Sequence, residues 1–193
     1  MTMRFNSNLL MAALVALGAM LCIAVPARAD IDLLTEHPLF VAIDNQDSSK
    51  IDLLLHRGAP ADFQNSKGKT GLIVGAERGN AAIVEVFIKH KAALNGRDTL
   101  GNTPAFYAAR NGNLEILELL ADAGANLNIE NRQGVTPLIA AASNGRLAAI
   151  QFLMERKADV AATDFTGRTA LMWAERNNHA RVARFMRSSG VRE

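Results

Sequence analysis

Few side chains in this sequence have the type and spacing for covalent or metal chemistry. The one cysteine, Cys22, lies in an uncharged run near the N-terminus. The four histidines are His37, His56, His90 and His179, and no two are spaced as a metal-binding pair. No serine occupies a nucleophile elbow, and no glycine-rich loop follows a strand-like run to cradle a phosphate. An enzyme is therefore not expected, and neither a metal nor a cofactor is implied. Side chains that could bind rather than react are more plentiful. Tyr107, Trp173 and Phe165 are aromatic, and arginines and lysines are spread along the chain.

The elements that must position these residues recur. Gly68-Lys69-Thr70-Gly71-Leu72 returns as Gly101-Asn102-Thr103-Pro104-Ala105, as Gly134-Val135-Thr136-Pro137-Leu138 and as Gly167-Arg168-Thr169-Ala170-Leu171, each 33 residues on. His37-Pro38-Leu39 is a worn first copy. A second landmark keeps the period: Gly79-Asn80, Gly112-Asn113, Gly145-Arg146 and Asn178-His179. A third comprises Gly58-Ala59, Gly124-Ala125 and Gly190. Thr70, Thr103, Thr136 and Thr169 can each cap a helix N-terminus through the hydroxyl. Pro104 and Pro137 suit a first helical position, where a missing N–H costs nothing. Gly112 or Gly145 ends this first helix in a left-handed conformation. A second helix follows, with apolar residues at helical spacing such as Ile116, Leu117, Leu119 and Leu120. Each unit thus reads as helix, turn, helix and extended turn.

Residues 1–29 have the parts of a secretory signal peptide: Arg4, an uncharged run of 17 residues from Leu9 to Val25, then Pro26 and Ala27-Arg28-Ala29. Cleavage is expected between Ala29 and Asp30. The run is at the short limit of the roughly 17–25 residues that span a bilayer, so an uncleaved anchor is the weaker reading. No later run is long enough, so after cleavage no membrane association is expected. The periplasm is the first-choice location and secretion the second. Arg4 and Arg28 carry the whole +2 formal charge, so residues 30–193 are neutral and lack cysteine. That composition excludes a disulfide framework and argues against a nucleic-acid binder. Charge is uneven: residues 30–64 hold seven acids and two bases, and residues 164–193 hold six bases and three acids.

The repeat resembles the ankyrin family. Its pattern is matched best by Asp98 to Asn113 and by Asn131 to Arg146. The resemblance implies an all-α repeat solenoid, with 33-residue helix-turn-helix units at about 32–64, 65–97, 98–130, 131–163 and 164–193, making 30–193 one domain. It implies a turn-bracing role for Asp98 and Asp164. The histidine usual after the Thr-Pro-Leu motif is replaced by Phe40, Ile73, Phe106, Ile139 and Met172, leaving apolar contact to hold the turns. Lys91 and Lys157 stand where a left-handed glycine is usual, each at a cost of up to about 1 kcal/mol. Arg181, Arg184 and Arg187 share one side of the last helix, as the polar face of a terminal capping repeat.

The resemblance also implies a protein partner docked on the concave side, against turn tips and first-helix ends. The tip candidates are Lys67, Lys69, Leu100, Asn102, Arg132, Gln133, Phe165 and Arg168. The helix-end candidates are Arg78, Arg110, Asn111, Asn144, Arg176 and Asn177. The positions on this side carry seven bases against Asp44 and Glu77, which fits a partner with an acidic patch and equally a solvated surface. Asparagine recurs at 45, 111, 144 and 177, where local capping is the expected role and a binding ladder the alternative. Tyr107 and Trp173 share a column with Val41, Val74 and Ala140. They are expected to pack on the inner helices, while Phe165 is the better candidate anchor for a partner. The function expected is an exported, monomeric interaction module. A self-associating spacer is the alternative, and a small-molecule binder using Tyr107 and Trp173 a weaker one.

Overall fold

Ten short helices run through residues 37–191, the part of the chain that the computed structural model describes. These residues fall in one unit, Glu36–Glu193. The expected leader, its Ala29–Asp30 cleavage site and the start of the first repeat lie outside the described residues. Five helices are first members of a pair: α1 (Pro38–Asp44), α3 (Gly71–Arg78), α5 (Pro104–Asn111), α7 (Pro137–Ser143) and α9 (Ala170–Arg176). Their partners are α2 (Ser48–His56), α4 (Ala81–Lys89), α6 (Leu114–Asp122), α8 (Leu147–Glu155) and α10 (Ala180–Ser188). First helices pack on first helices of the next pair, and second on second, giving two layers. The described residues contain no strand, only an isolated antiparallel bridge between Thr163 and Thr169. None of these helices is long and apolar enough to cross a membrane.

Helices of seven to nine residues are well below the roughly 12–15 at which an isolated helix becomes even marginal in water. Caps and stacking therefore hold them. The hydroxyls of Thr70, Thr103, Thr136 and Thr169 accept from the N–H groups of Ile73, Phe106, Ile139 and Met172 at 3.2–3.3 Å. In the first pair His37 takes the threonine's place: its Nδ1 accepts from the Leu39 N–H at 3.3 Å, and its ring stacks on Phe63 at 4.1 Å. Sequence alone marks this copy as worn without revealing that the histidine still caps.

Stacking needs small residues between neighbouring first helices. Ala108, Ala109, Ala141 and Ala142 are fully buried. Phe40, Ile73, Phe106 and Ile139, standing where the family's histidine is usual, are buried as the apolar reading expects. Gly71 replaces the proline or alanine of later units for a packing reason. A Cβ there would lie 2.0 Å from Cζ of Phe87, the bulky α4 residue seated against it.

The turn tips are joined by backbone hydrogen bonds. Thr99 N–H donates to Lys67 O, Arg132 N–H to Leu100 O and Phe165 N–H to Gln133 O, at 3.0–3.2 Å. Gly134 has φ +77°, and a Cβ there would meet the Phe165 backbone nitrogen at 2.8 Å, so both the turn and the close approach call for glycine. Lys91 and Lys157 do hold left-handed φ values of 57° and 62°. On α10, Arg181, Arg184 and Arg187 are exposed while Val182, Ala183 and Met186 face inward, the polarity of a terminal repeat.

Candidate binding face

Asp98 and Asp164 brace their own tips, and they also hold the two aromatic residues. Asp98 Oδ1 accepts from the N–H groups of Leu100 and Asn102, both at 2.9 Å. Its Oδ2 accepts from the Tyr107 hydroxyl at 2.6 Å. Asp164 Oδ1 accepts from the backbone of Thr166 and Arg168, and its Oδ2 from the Trp173 indole N–H at 2.7 Å. Burial pushes the Asp164 carboxyl upward, but the Thr166, Arg168 and Trp173 hydrogen bonds outweigh it and leave the pKa below the ordinary aspartate value. Burial, with the bond to Asp98, raises the Tyr107 phenol. Tyr107 and Trp173 thus bond from the inner helix to the turn, a linkage that the missing imidazole had made unexpected. Its sequence signal is faint: an aspartate nine residues before an aromatic, in only two of the units.

The charged candidates divide into two groups. Lys69 pairs with Glu77 at 2.5 Å and lies 4.6 Å from the Tyr107 ring centroid; its side chain is only 14% exposed. Burial opposes the Lys69 ammonium, and contact with Glu77 and Tyr107 more than offsets this, raising its pKa. Arg78 pairs with Asp44 and donates to Ile43 O at 3.1 Å. Arg110 stacks on Tyr107 at 4.7 Å and approaches Glu77 at 3.9 Å. Both acids of the face are therefore engaged by bases within it. Lys67 and Arg132 are exposed and form no ion pair among the described residues. Arg168 and Arg176 lie 5.5 and 5.1 Å from the Trp173 ring centroid, also without an acidic partner there.

Asn102 departs from the expectation of an exposed tip. It is 3% exposed, donates to Asp98 and Tyr107, and accepts from the Asn131 amide at 2.9 Å. Its short polar side chain is drawn inward by the aspartate and phenol, so it is structural, and Lys69 is largely so. Leu100 and Phe165 are exposed by 62% and 72%, as tip residues should be. Gln133 is exposed beside them. The asparagine column caps helices in two ways. Asn144 Nδ2 donates within its own helix to Ala140 O at 2.8 Å. Asn111 and Asn177 instead reach back one unit, to Glu77 O at 2.8 Å and Ser143 O at 2.7 Å.

Further donors serve the same purpose. Arg146 Nε donates to Arg110 O at 3.2 Å, and His179 Nε2 lies 3.0 Å from Ser143 O. A second ladder uses Asp62, Asn95 and Asn128, whose carbonyl or carboxylate oxygens accept from Ala93, Asn126 and Asp159 N–H groups. Their 33-residue spacing was the available signal. Between α5, α7 and α9 lies a notch of about 210 Å³, with Ala140 in its lining. Among the described residues no three His, Cys, Asp or Glu side chains could hold a metal ion together.

A family model described as ankyrin repeats (3 copies) matches residues 39–131 and 123–192. The chain belongs to the ankyrin-repeat family. Such repeats are generally protein-interaction modules. A comparison with curated proteins finds no match.

Proposed function

We propose that the chain is an exported interaction protein that takes an acidic protein partner on its first-helix and turn-tip face. One observation carries this reading. The face's own acids, Asp44 and Glu77, are engaged by Arg78 and Lys69, whereas Lys67, Arg132, Arg168 and Arg176 have no acidic partner among the described residues. Cations left unpaired on one surface, in a chain whose residues 30–193 are neutral overall, steer an anionic partner and speed encounter at low salt. Phe165 and Leu100 add exposed apolar area on the same tips. Export rests on the charge, apolar run and small-residue pattern of residues 1–29.

Affinity capture from a periplasmic extract tests the reading, comparing the wild type with a Lys67→Glu, Arg132→Glu double variant. Both residues are exposed and neither forms an ion pair among the described residues. The wild type should retain a protein partner that elutes with salt, and the variant should lose it. Equal capture by the two proteins would remove the proposed face.

A further inference from the structure

The column of inner-helix residues Val41, Val74, Tyr107, Ala140 and Trp173 contains one conspicuous gap. In the units on either side, an aromatic ring reaches the aspartate of its own turn: Tyr107 to Asp98 and Trp173 to Asp164. The unit between them has Asn131 and Ala140 at the same two places. The Asn131 amide turns to Asn102 instead, and Ala140 ends at its methyl group. The space that a ring would occupy is left as the notch, walled by Phe106, Val135 and Trp173 and flanked by Arg110 and Asn144. None of the described residues lining it is acidic.

Size and charge narrow the occupant. About 210 Å³ is below the roughly 300–1,000 Å³ of sites that enclose a metabolite or cofactor. It suits a single side chain. Arg110 borders it, and Arg168 and Arg176 lie against Trp173 beside it, so acidic groups are favoured next to that side chain. Resting on the acidic-partner reading above, we infer that the notch over Ala140 is the anchor pocket of the face, receiving one apolar side chain from an acidic segment of the partner protein. A buried anchor between a tryptophan and an arginine has the composition of an interface hot spot.

Trp173 is the only tryptophan in the chain and lines the notch, so its fluorescence reports occupancy directly. The probes are blocked pentapeptides: Asp-Glu-Leu-Glu-Asp, the same with central Ala, and a Lys-flanked Leu version. Two variants fill the notch: Ala140→Leu, and Asn131→Asp with Ala140→Tyr, which copies the neighbouring unit. Thermal melts check that each is folded. The acidic Leu peptide should bind the wild type about tenfold or more tighter than its Ala counterpart, the scale of burying one such side chain. Filling the notch should bring it down to the Ala level. If Leu and Ala peptides bind alike, and the filled variants bind as the wild type does, the notch is not an anchor though the basic face stands. Failure of both acidic peptides at millimolar concentration, or equal binding of the Lys-flanked peptide, overturns face and notch together. Free leucine binding as tightly as the peptide would make the notch a small-molecule site and also overturn the inference.

Discussion

At the residue scale, the informative side chains are those that close a polar gap across the inner surface. Tyr107 is 2% exposed and Asp98 5%, so their hydrogen bond is shielded from water. Removing the hydroxyl leaves a buried carboxylate short of a donor. Tyr107→Phe should therefore lower stability by about 1.5–3 kcal/mol, read from urea denaturation. His37 makes a second prediction. Its Nδ1 can accept the Leu39 N–H only when the ring is neutral, and burial lowers its pKa below the ordinary value. A depressed pKa means that the folded state favours the neutral ring. Its contribution is then complete above the ordinary histidine value of about 6.5 and is lost as pH falls through the lower folded value. Replacing the titrating cap by Asn, as His37→Asn, should flatten the fall in melting temperature between about pH 7.5 and pH 5 relative to the wild type. Parallel pH profiles would show that the cap does not titrate.

At the element scale, each helix survives only against its neighbours, and packing choices are made in pairs. Gly71 and Phe87 form one such pair. In the next two units the equivalent positions hold Pro104 with Leu120 and Pro137 with Leu153. Gly71→Ala should cost about 1–3 kcal/mol, since its methyl would overlap the Phe87 ring. Adding Phe87→Leu should recover most of that loss, and additive costs in the double-mutant cycle would refute the coupling. The helices themselves were legible because Thr, Pro and Gly mark their ends every 33 residues. What stayed hidden was any choice made between units. The periodicity places Asn111 and Asn177 at helix ends but does not tell that their amides reach the preceding helix. It aligns Asn102 with exposed tip residues, while the neighbouring aspartate and phenol draw it inside. A one-dimensional pattern specifies which residues are equivalent; which equivalents differ in direction depends on partners a full unit away.

At the scale of the whole molecule, the two-layer stack turns the balanced charge of residues 30–193 into a face where cations stand without acids. The exported form is expected to begin at Asp30, and mass spectrometry of the protein recovered from the periplasm should give that N-terminus; an intact Met1 would return the chain to a membrane-anchored reading. The basic character of the face was visible in the residue count, but its division into paired and unpaired cations required the distances from Lys69 to Glu77 and from Arg110 to Tyr107. The notch over Ala140 was visible only as a small residue in a column of larger ones. The ladders joining the units have a kinetic meaning as well. The side-chain hydrogen bonds between units, His90 to Asp52 among them, span 29 to 38 residues, and packed helices belong to the same pair or to adjacent pairs. Contacts of such short reach make loop closure cheap and folding fast. A chain that emerges N-terminus first, as the export proposed above requires, can complete each pair and lay it on the last, without waiting for its C-terminus.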